Sequence, residues 1–179
     1  MKLTYHIPNK LYYIQQFLDY PSYKQLHKEI FDNKLELYNT EKTWKSGLKY
    51  GHKTFVAATC FDPDKHKILF KLKTLLQNNP FIKFDQNLRY NFIQHSMEDG
   101  SGINWHDDYG HEYGITYYLN RRWNKQFGGE FMFRHENSSG FIPLVGNSLV
   151  LLKAPLLHKV SSVLKPLIPR KTIQIFVDK

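Results

Sequence analysis

Residues 88–97 read LRYNFIQHSM, and from this stretch onward the periodicity of the chain changes. Leu88–Met97, Tyr113–Leu119, Gly129–Arg134, Ser148–Lys153 and Thr172–Val177 all read as strands, short and rich in aromatic and branched residues. Turn formers separate them at Asp99-Gly100, Asn120, Asn137–Gly140 and Gly146-Asn147. Five or more short strands with turns between them predict a sandwich or barrel. Aromatic residues make up 16% of the chain, with 13 Phe and 12 Tyr, which suits packed sheet better than a plain helical bundle.

Upstream of this stretch the pattern is mostly helical. Tyr5–Ile7 reads as a short strand. Ile14, Phe17 and Leu18, then Tyr23, Leu26 and Ile30, fall on helical spacing, with Pro21 opening the second helix. The clearest helix is Lys65–Gln77. Asp62-Pro63-Asp64 supplies a cap and an opening proline, and Ile68, Leu69, Leu72, Leu75 and Leu76 form one apolar face. Asn78-Asn79-Pro80 ends it. Lys42–Thr54 is polar, contains Gly47 and Gly51 and lacks periodicity, so it reads as a long loop. The expected architecture is one α+β, mainly β domain over residues 1–179. Residues 1–87 give helical support and the loop; residues 88–179 give the β core, with the helices bracing one sheet from outside.

The 179 residues suit a single domain with a real core, and 41% hydrophobic content excludes a disordered tail. No apolar run approaches the roughly 18–20 residues of a membrane helix. MKLTYHIPNK has no hydrophobic signal region, and Cys60 is the single cysteine, so a reducing, cytoplasmic setting is expected. The formal charge is +9, but Lys24, Lys42, Lys73, Lys125 and Lys165 are dispersed, as on a solvated surface.

Chemistry concentrates at Trp105-His106-Asp107-Asp108. On a strand, residues two apart share a face, so His106 and Asp108 can hold one metal ion while Asp107 faces away. With nine histidines in the chain, one His-x-Asp is a weak signal alone. His158, in Leu156-Leu157-His158-Lys159-Val160, is a histidine among apolar residues and needs a partner. Two imidazoles and one carboxylate on one face make the facial triad of non-haem iron sites, which keeps positions open. Arg170 starts Arg-Lys-Thr-Ile-Gln-Ile-Phe, and an arginine entering a buried strand calls for an anion.

Taken in order, these motifs resemble the prolyl 4-hydroxylase-like branch of the Fe(II)/2-oxoglutarate oxygenases. The resemblance runs from Leu88 to Phe176, about half the chain. It rests on Gly100-Ser-Gly-Ile-Asn-Trp-His106-Asp-Asp108, on Tyr117-Tyr-Leu-Asn-Arg-Arg-Trp123 with Gly128-Gly-Glu130-Phe-Met-Phe, on Pro143-Leu-Val-Gly-Asn-Ser-Leu-Val-Leu-Leu, and on His158-x-Val160, Val163 and Arg170-x-Thr172. It implies a double-stranded β-helix (jelly-roll) core, with His106, Asp108 and His158 as iron ligands. Arg170 would bind the far carboxylate of 2-oxoglutarate, with Tyr118 and Thr172 beside it. O2 would be the second co-substrate, and ascorbate an optional reductant.

Two departures stand out. Relatives often carry a co-substrate-contacting tyrosine ten residues before the first ligand histidine, where this chain has Ser96; Tyr90 is a candidate substitute. Lys165-Pro-Leu-Ile-Pro169 replaces a glycine-bearing turn, which leaves Lys171 as the alternative to Arg170. His95 and His111 are candidates for supporting or substrate-contacting positions, and Trp123 is expected to pack under the strand turn. The loop Lys42–Thr54 is the candidate lid.

The implied activity is hydroxylation of an unactivated C–H bond, with release of succinate and CO2. The implied substrate is a prolyl residue in a protein or peptide, and the alternative is a free amino acid or small molecule. The nucleic-acid branch of the superfamily carries a second arginine six residues after the first; here that position is Phe176, so nucleic acid is not expected as a partner. From other classes, a non-enzymatic β-helix binding module and a zinc hydrolase remain as readings; the latter would need neither Arg170 nor Tyr118.

Overall fold

The computed structural model describes residues 1–31, 49–50, 57–84 and 87–179. The expected lid, Lys42–Thr54, lies outside the described residues apart from Lys49 and Tyr50. Twelve strands are described: β1 (Lys2–Ile7), β2 (Leu11–Gln15), β3 (Lys49–Tyr50), β4 (Ala57–Phe61), β5 (Arg89–Met97), β6 (Gly102–His106), β7 (Tyr113–Tyr118), β8 (Phe131–His135), β9 (Ser138–Ile142), β10 (Ser148–Lys153), β11 (Leu157–Val160) and β12 (Arg170–Asp178). Helix α1 spans Tyr20–Leu26 and runs into a π-helical turn, and α2 spans Lys67–Gln77.

The strands form two sheets. One has seven strands in the order β1-β2-β10-β7-β12-β5-β4, and the other five in the order β3-β6-β11-β8-β9. Every strand pair within them is antiparallel. This is the expected jelly roll, mainly β and braced by helices on one side.

Alternation along β12 sorts the interior into two layers. Ile173, Ile175 and Val177 face the helices, where they pack with Ile115, Tyr117, Leu149 and Leu151 against Leu26, Ile68, Leu69, Leu72 and Leu76. Each such buried side chain contributes roughly 1.5–3 kcal/mol. On the opposite face of the same sheet, Leu11, Tyr13, Tyr118, Val150 and Leu152 meet Phe131 and Phe133 of the five-stranded sheet. The functional groups lie in this second layer, between the sheets.

The N-terminal half is less helical than its sequence pattern suggests. Leu11–Gln15 is a strand paired with β1 and β10, not the start of a helix through Ile14, Phe17 and Leu18. Leu11 and Tyr13 point between the sheets; Gln16 then takes φ 51°, and the chain breaks before Phe17 and Leu18 reach the helix-side core. Ala57–Phe61 is also a strand, laid on β5. Helix α1 begins as expected: Asp19 Oδ1 accepts from Ser22 N at 2.9 Å, and Pro21 sits in the first turn. Asp62, in contrast, caps a 3-10 turn at Pro63–Lys65, and α2 starts two residues later, at Lys67. The turn expected over Asn137–Gly140 is confined to Glu136-Asn137, because Ser138–Ile142 pairs with β8.

Candidate metal centre and buried arginine site

His106 ends β6 and His158 lies on β11, and the two are direct partners across that antiparallel pair. Their rings sit 4.0 Å apart, centroid to centroid. Asp108 completes the cluster by a route different from the expected one. It lies beyond the end of β6, with φ 54°, so a left-handed residue turns its carboxylate back toward the two imidazoles. His106 Nε2 lies 3.4 Å from Asp108 Oδ1, and His158 Nε2 lies 3.5 Å from Asp108 Oδ2. One ligand atom from each residue falls within 4.8 Å of the others, a spacing that could hold one metal ion. Asp107 is exposed, and its Oδ1 accepts from Tyr109 N instead.

The donor chemistry fits a metal. His106 Nδ1 is 2.7 Å from Asn104 O, and His158 Nδ1 is 2.7 Å from Leu156 O. A carbonyl oxygen only accepts, so each Nδ1 carries a proton and Nε2 is the nitrogen aimed at the shared centre, able to bind a metal once His106 gives up the proton it shares with Asp108. His158 is buried, which drives its pKa down to about 4 against the pull of Asp108. Burial also opposes charge on His106, but the hydrogen bond and charge of Asp108 outweigh it and raise its pKa. Burial would raise Asp108, and the hydrogen bond from His106 with both imidazole charges lowers it. Gly114 of β7 makes room: a Cβ there would stand 2.5 Å from Asp108 Oδ2.

A second group forms at the start of β12. Arg170 is 1% exposed, yet no carboxylate pairs with it among the described residues. Its Nε donates to Gly129 O at 2.9 Å, its Nη1 reaches Met97 Sδ at 3.5 Å, and its Cζ stands 5.4 Å from the Tyr118 ring centre. Nη2 and the buried Tyr118 hydroxyl have no hydrogen-bond partner of normal geometry among the described residues. A buried guanidinium with a spare N–H beside a spare hydroxyl is costly unless an anion completes it. Burial lowers the Arg170 pKa, and burial lifts Tyr118 to about 12 although Arg170 pulls the other way. Gly129, with φ 76°, is held to glycine, since a Cβ would stand 2.8 Å from Arg170 Cδ.

Thr172 is buried on the inner face, paired with Tyr118 on one side and His95 on the other. Lys171 points the other way and donates to Phe31 O at 2.5 Å, so the proline-bearing turn does not displace Arg170 from the inner position. Ser96 falls on the helix-facing side of β5, as does Tyr90, which belongs to the helix-side core. Trp123 donates from Nε1 to Gly128 O at 2.8 Å and thereby packs under the turn before β8. His111 pairs with Asp178 at 2.5 Å.

Residues 90–178 match the family model of the 2OG-Fe(II) oxygenase superfamily. The chain belongs to that superfamily. Among solved structures, the oxygenase is similar to a Pseudomonas putida prolyl-4-hydroxylase, with 13% identity, TM-score 0.66 and 96% of this chain aligned to 94% of that one. It is similar also to a Trichoplax adhaerens prolyl hydroxylase, solved in complex with a hypoxia inducible factor oxygen degradation domain peptide fragment. There the identity is 16%, the TM-score 0.67, and 96% of this chain aligns to 84% of that one. A 2OG-Fe(II) oxygenase family protein from Burkholderia pseudomallei matches with 13% identity and TM-score 0.60, covering 94% of this chain and 84% of that one. A search of curated proteins returns no match. Superfamily membership makes the oxygenase a 2-oxoglutarate-dependent dioxygenase, with Fe(II) and 2-oxoglutarate as its implied cofactor and co-substrate. No described helix is long and apolar enough to cross a membrane.

Proposed function

We propose that the oxygenase holds Fe(II) on His106, Asp108 and His158, binds 2-oxoglutarate through Arg170 with Tyr118 and Thr172, and hydroxylates a prolyl residue in a protein or peptide. The observation that carries this reading is the presence in one interior of three converging ligand atoms and a buried guanidinium that no carboxylate among the described residues pairs with. When bound, Fe(II) and 2-oxoglutarate supply oxygen-activating chemistry that turns a C–H bond into C–OH while 2-oxoglutarate loses CO2 and leaves as succinate.

The chain supplies orientation and exclusion of water. The carbonyls of Asn104 and Leu156 hold both imidazoles in the tautomer that leaves Nε2 free. The Asp108 carboxylate balances part of the cation's charge. Arg170 presents Nη2 for a charge-assisted bond to a carboxylate, and the Tyr118 hydroxyl offers a second donor to the same group. Phe131 stacks on His158 at 5.1 Å between ring centres and walls that side from solvent. A zinc hydrolase has no use for an anion site of this kind, and a plain binding module has no use for the triad.

The prolyl substrate is supported by the fold shared with prolyl hydroxylases, one of which was solved with a peptide. We further read residues 1–179 as one functional domain, since β1, β2 and β4 belong to the same sheet as β12. The test is anaerobic addition of Fe(II) and then 2-oxoglutarate to metal-free protein, followed by visible absorption. A weak charge-transfer band is expected, absent in Asp108→Ala and needing at least tenfold more 2-oxoglutarate in Arg170→Ala. Proline-containing peptides should then gain the mass of one oxygen in step with succinate. A mass gain on free amino acids alone would replace the peptide substrate with a small molecule.

A further inference from the structure

We infer that His111 is a positioning residue for the metal centre: through the Asp178 carboxylate it bolts the turn that carries Asp108 to the end of β12, and so keeps the Asp108 carboxylate facing His106 and His158. The inference rests on the proposed role of Asp108 as a ligand.

The backbone sets the need for such a hold. Asp108 is left-handed, at φ 54°, and lies beyond the last residue of β6. A left-handed residue other than glycine persists where its surroundings impose it. Its carbonyl gives one restraint, accepting from His111 N at 3.1 Å and closing a four-residue turn. The His111 side chain gives another. An ionised carboxylate only accepts, so His111 Nδ1 donates to Asp178 Oδ1, at 2.5 Å. The same ring stacks on Phe176, with centroids 4.3 Å apart and planes 26° apart. Asp178 is held in turn, since Asn91 Nδ2 donates to its Oδ2 at 3.0 Å.

These contacts fall on one row of the seven-stranded sheet. Gly114, Phe176 and Asn91 are direct partners across β7, β12 and β5. Phe176 and Asp178 share the parity of Arg170 and Thr172 on β12, so the row faces between the sheets. Asp108 packs over Gly114, where a Cβ would stand 2.5 Å from Oδ2. His111 packs over Phe176, the next place in the row. Both ends of the turn are thus registered on one floor, one strand spacing apart. Glu112 N donates to Val177 O at 2.8 Å, which anchors the chain after the turn rather than within it.

The experiment is titration of metal-free, full-length protein with Mn(II), read without oxygen from the EPR signal of free Mn(II). His111→Leu and Asp178→Ala should each bind Mn(II) about tenfold more weakly, the scale on which groups that support metal ligands act. His111→Asn should recover most of the affinity, because its Nδ2 can donate from the place of the imidazole Nδ1. Asn147→Gly supplies the comparison, since Asn147 lies at the opposite end of β10 from Leu152, the partner of Gly114. It should melt lower yet bind Mn(II) within about twofold of the parent, as a distant site does. Unchanged affinity in His111→Leu, beside a loss in Asp108→Ala, would overturn the inference and leave the ligand set standing. A loss in Asn147→Gly as large as that in His111→Leu would make His111 merely structural, and so would failure of both His111 variants to fold. If Asp108→Ala itself binds Mn(II) normally, the reading of Asp108 as a ligand falls first.

Discussion

His106 and His158 each give one ring nitrogen to a carbonyl two residues earlier in the chain. That local bond fixes the tautomer, and the pairing of β6 with β11 brings the rings together. The sequence pointed to these residues because His-x-Asp, the distal histidine and the arginine are short patterns, and the structure brings the three candidate ligands together. The sequence did not show how Asp108 arrives. The i, i+2 argument needs an unbroken strand, and β6 stops at His106; a left-handed turn brings the carboxylate round instead. His95 and Ser96 could not be told apart either, since only the pairing of β5 with β12 decides which of two neighbours faces inward. Gly114 supplies a sharp test at this scale. Gly114→Ala would put a methyl group 2.5 Å from Asp108 Oδ2 on a strand whose backbone accepts alanine. Fe(II) affinity should fall at least tenfold with little change in melting temperature; an unchanged metal titration would remove Asp108 from the ligand set. Acid should act through His95 and His158, both held near pKa 4 against an ordinary 6.5. The unfolded chain takes up these protons first, so the metal-free protein keeps their full contribution above about pH 6.5 and loses it as pH falls toward 4. Urea midpoints at pH 7.5 and 5 should differ, and His95→Gln should reduce the difference.

At the scale of elements, five strands of the second half were legible because each alternates or carries a run of branched and aromatic residues. Ser148–Lys153 keeps its expected bounds, and β12 exceeds its own by two residues at the start and one at the end. Of the strands that were not legible, three each have a reason of their own. Leu11–Gln15 runs into Phe17 and Leu18, and the combined spacing mimics a helix. Ala57–Phe61, AATCF, lacks large residues in alternation and is a strand only because β5 offers it an edge. Ser138–Ile142, SSGFI, has the composition of a turn, and Gly140 is needed there because a Cβ would meet the Phe133 ring at 2.7 Å. What joins β2 to α1 is a single asparagine. Asn147, at φ 59°, accepts from Leu18 N at 2.9 Å and Tyr117 Oη at 2.8 Å and donates to Leu18 O at 2.9 Å. Asn147→Gly keeps the backbone conformation and removes all three bonds, so its effect isolates the clamp. The expected loss is roughly 2–4 kcal/mol, and a thermal melt should fall by at least about 4 °C. A drop of less than about 1 °C would show that solvent replaces the clamp.

The whole molecule is more than its recognisable half. The family match covers residues 90–178, which hold every proposed ligand and co-substrate residue. Yet in the seven-stranded sheet only β10, β7, β12 and β5 come from that segment, flanked by β2 and β1 on one side and β4 on the other. Removing residues 1–87 would bare the edges of both β10 and β5, and unpaired edges recruit other chains. It would also strip Leu26, Ile68, Leu69, Leu72 and Leu76 from the outer face, leaving Ile115, Tyr117, Leu149, Leu151, Ile173, Ile175 and Val177 to water. A contiguous apolar patch of that kind promotes aggregation. Between the sheets, Leu11 and Tyr13 would be lost from the layer that holds Tyr118. Residues 88–179 expressed alone should therefore be insoluble or aggregated, and should bind neither Fe(II) nor 2-oxoglutarate. The full chain should melt in one cooperative transition. A soluble, monomeric 88–179 fragment that binds Fe(II) would show that the N-terminal strands and helices are an accessory to a core able to fold alone, and would divide the chain at residue 88. The sheet order argues for the other result, because a strand such as β10 that is buried on both faces and paired on both edges has no stable form with one side removed.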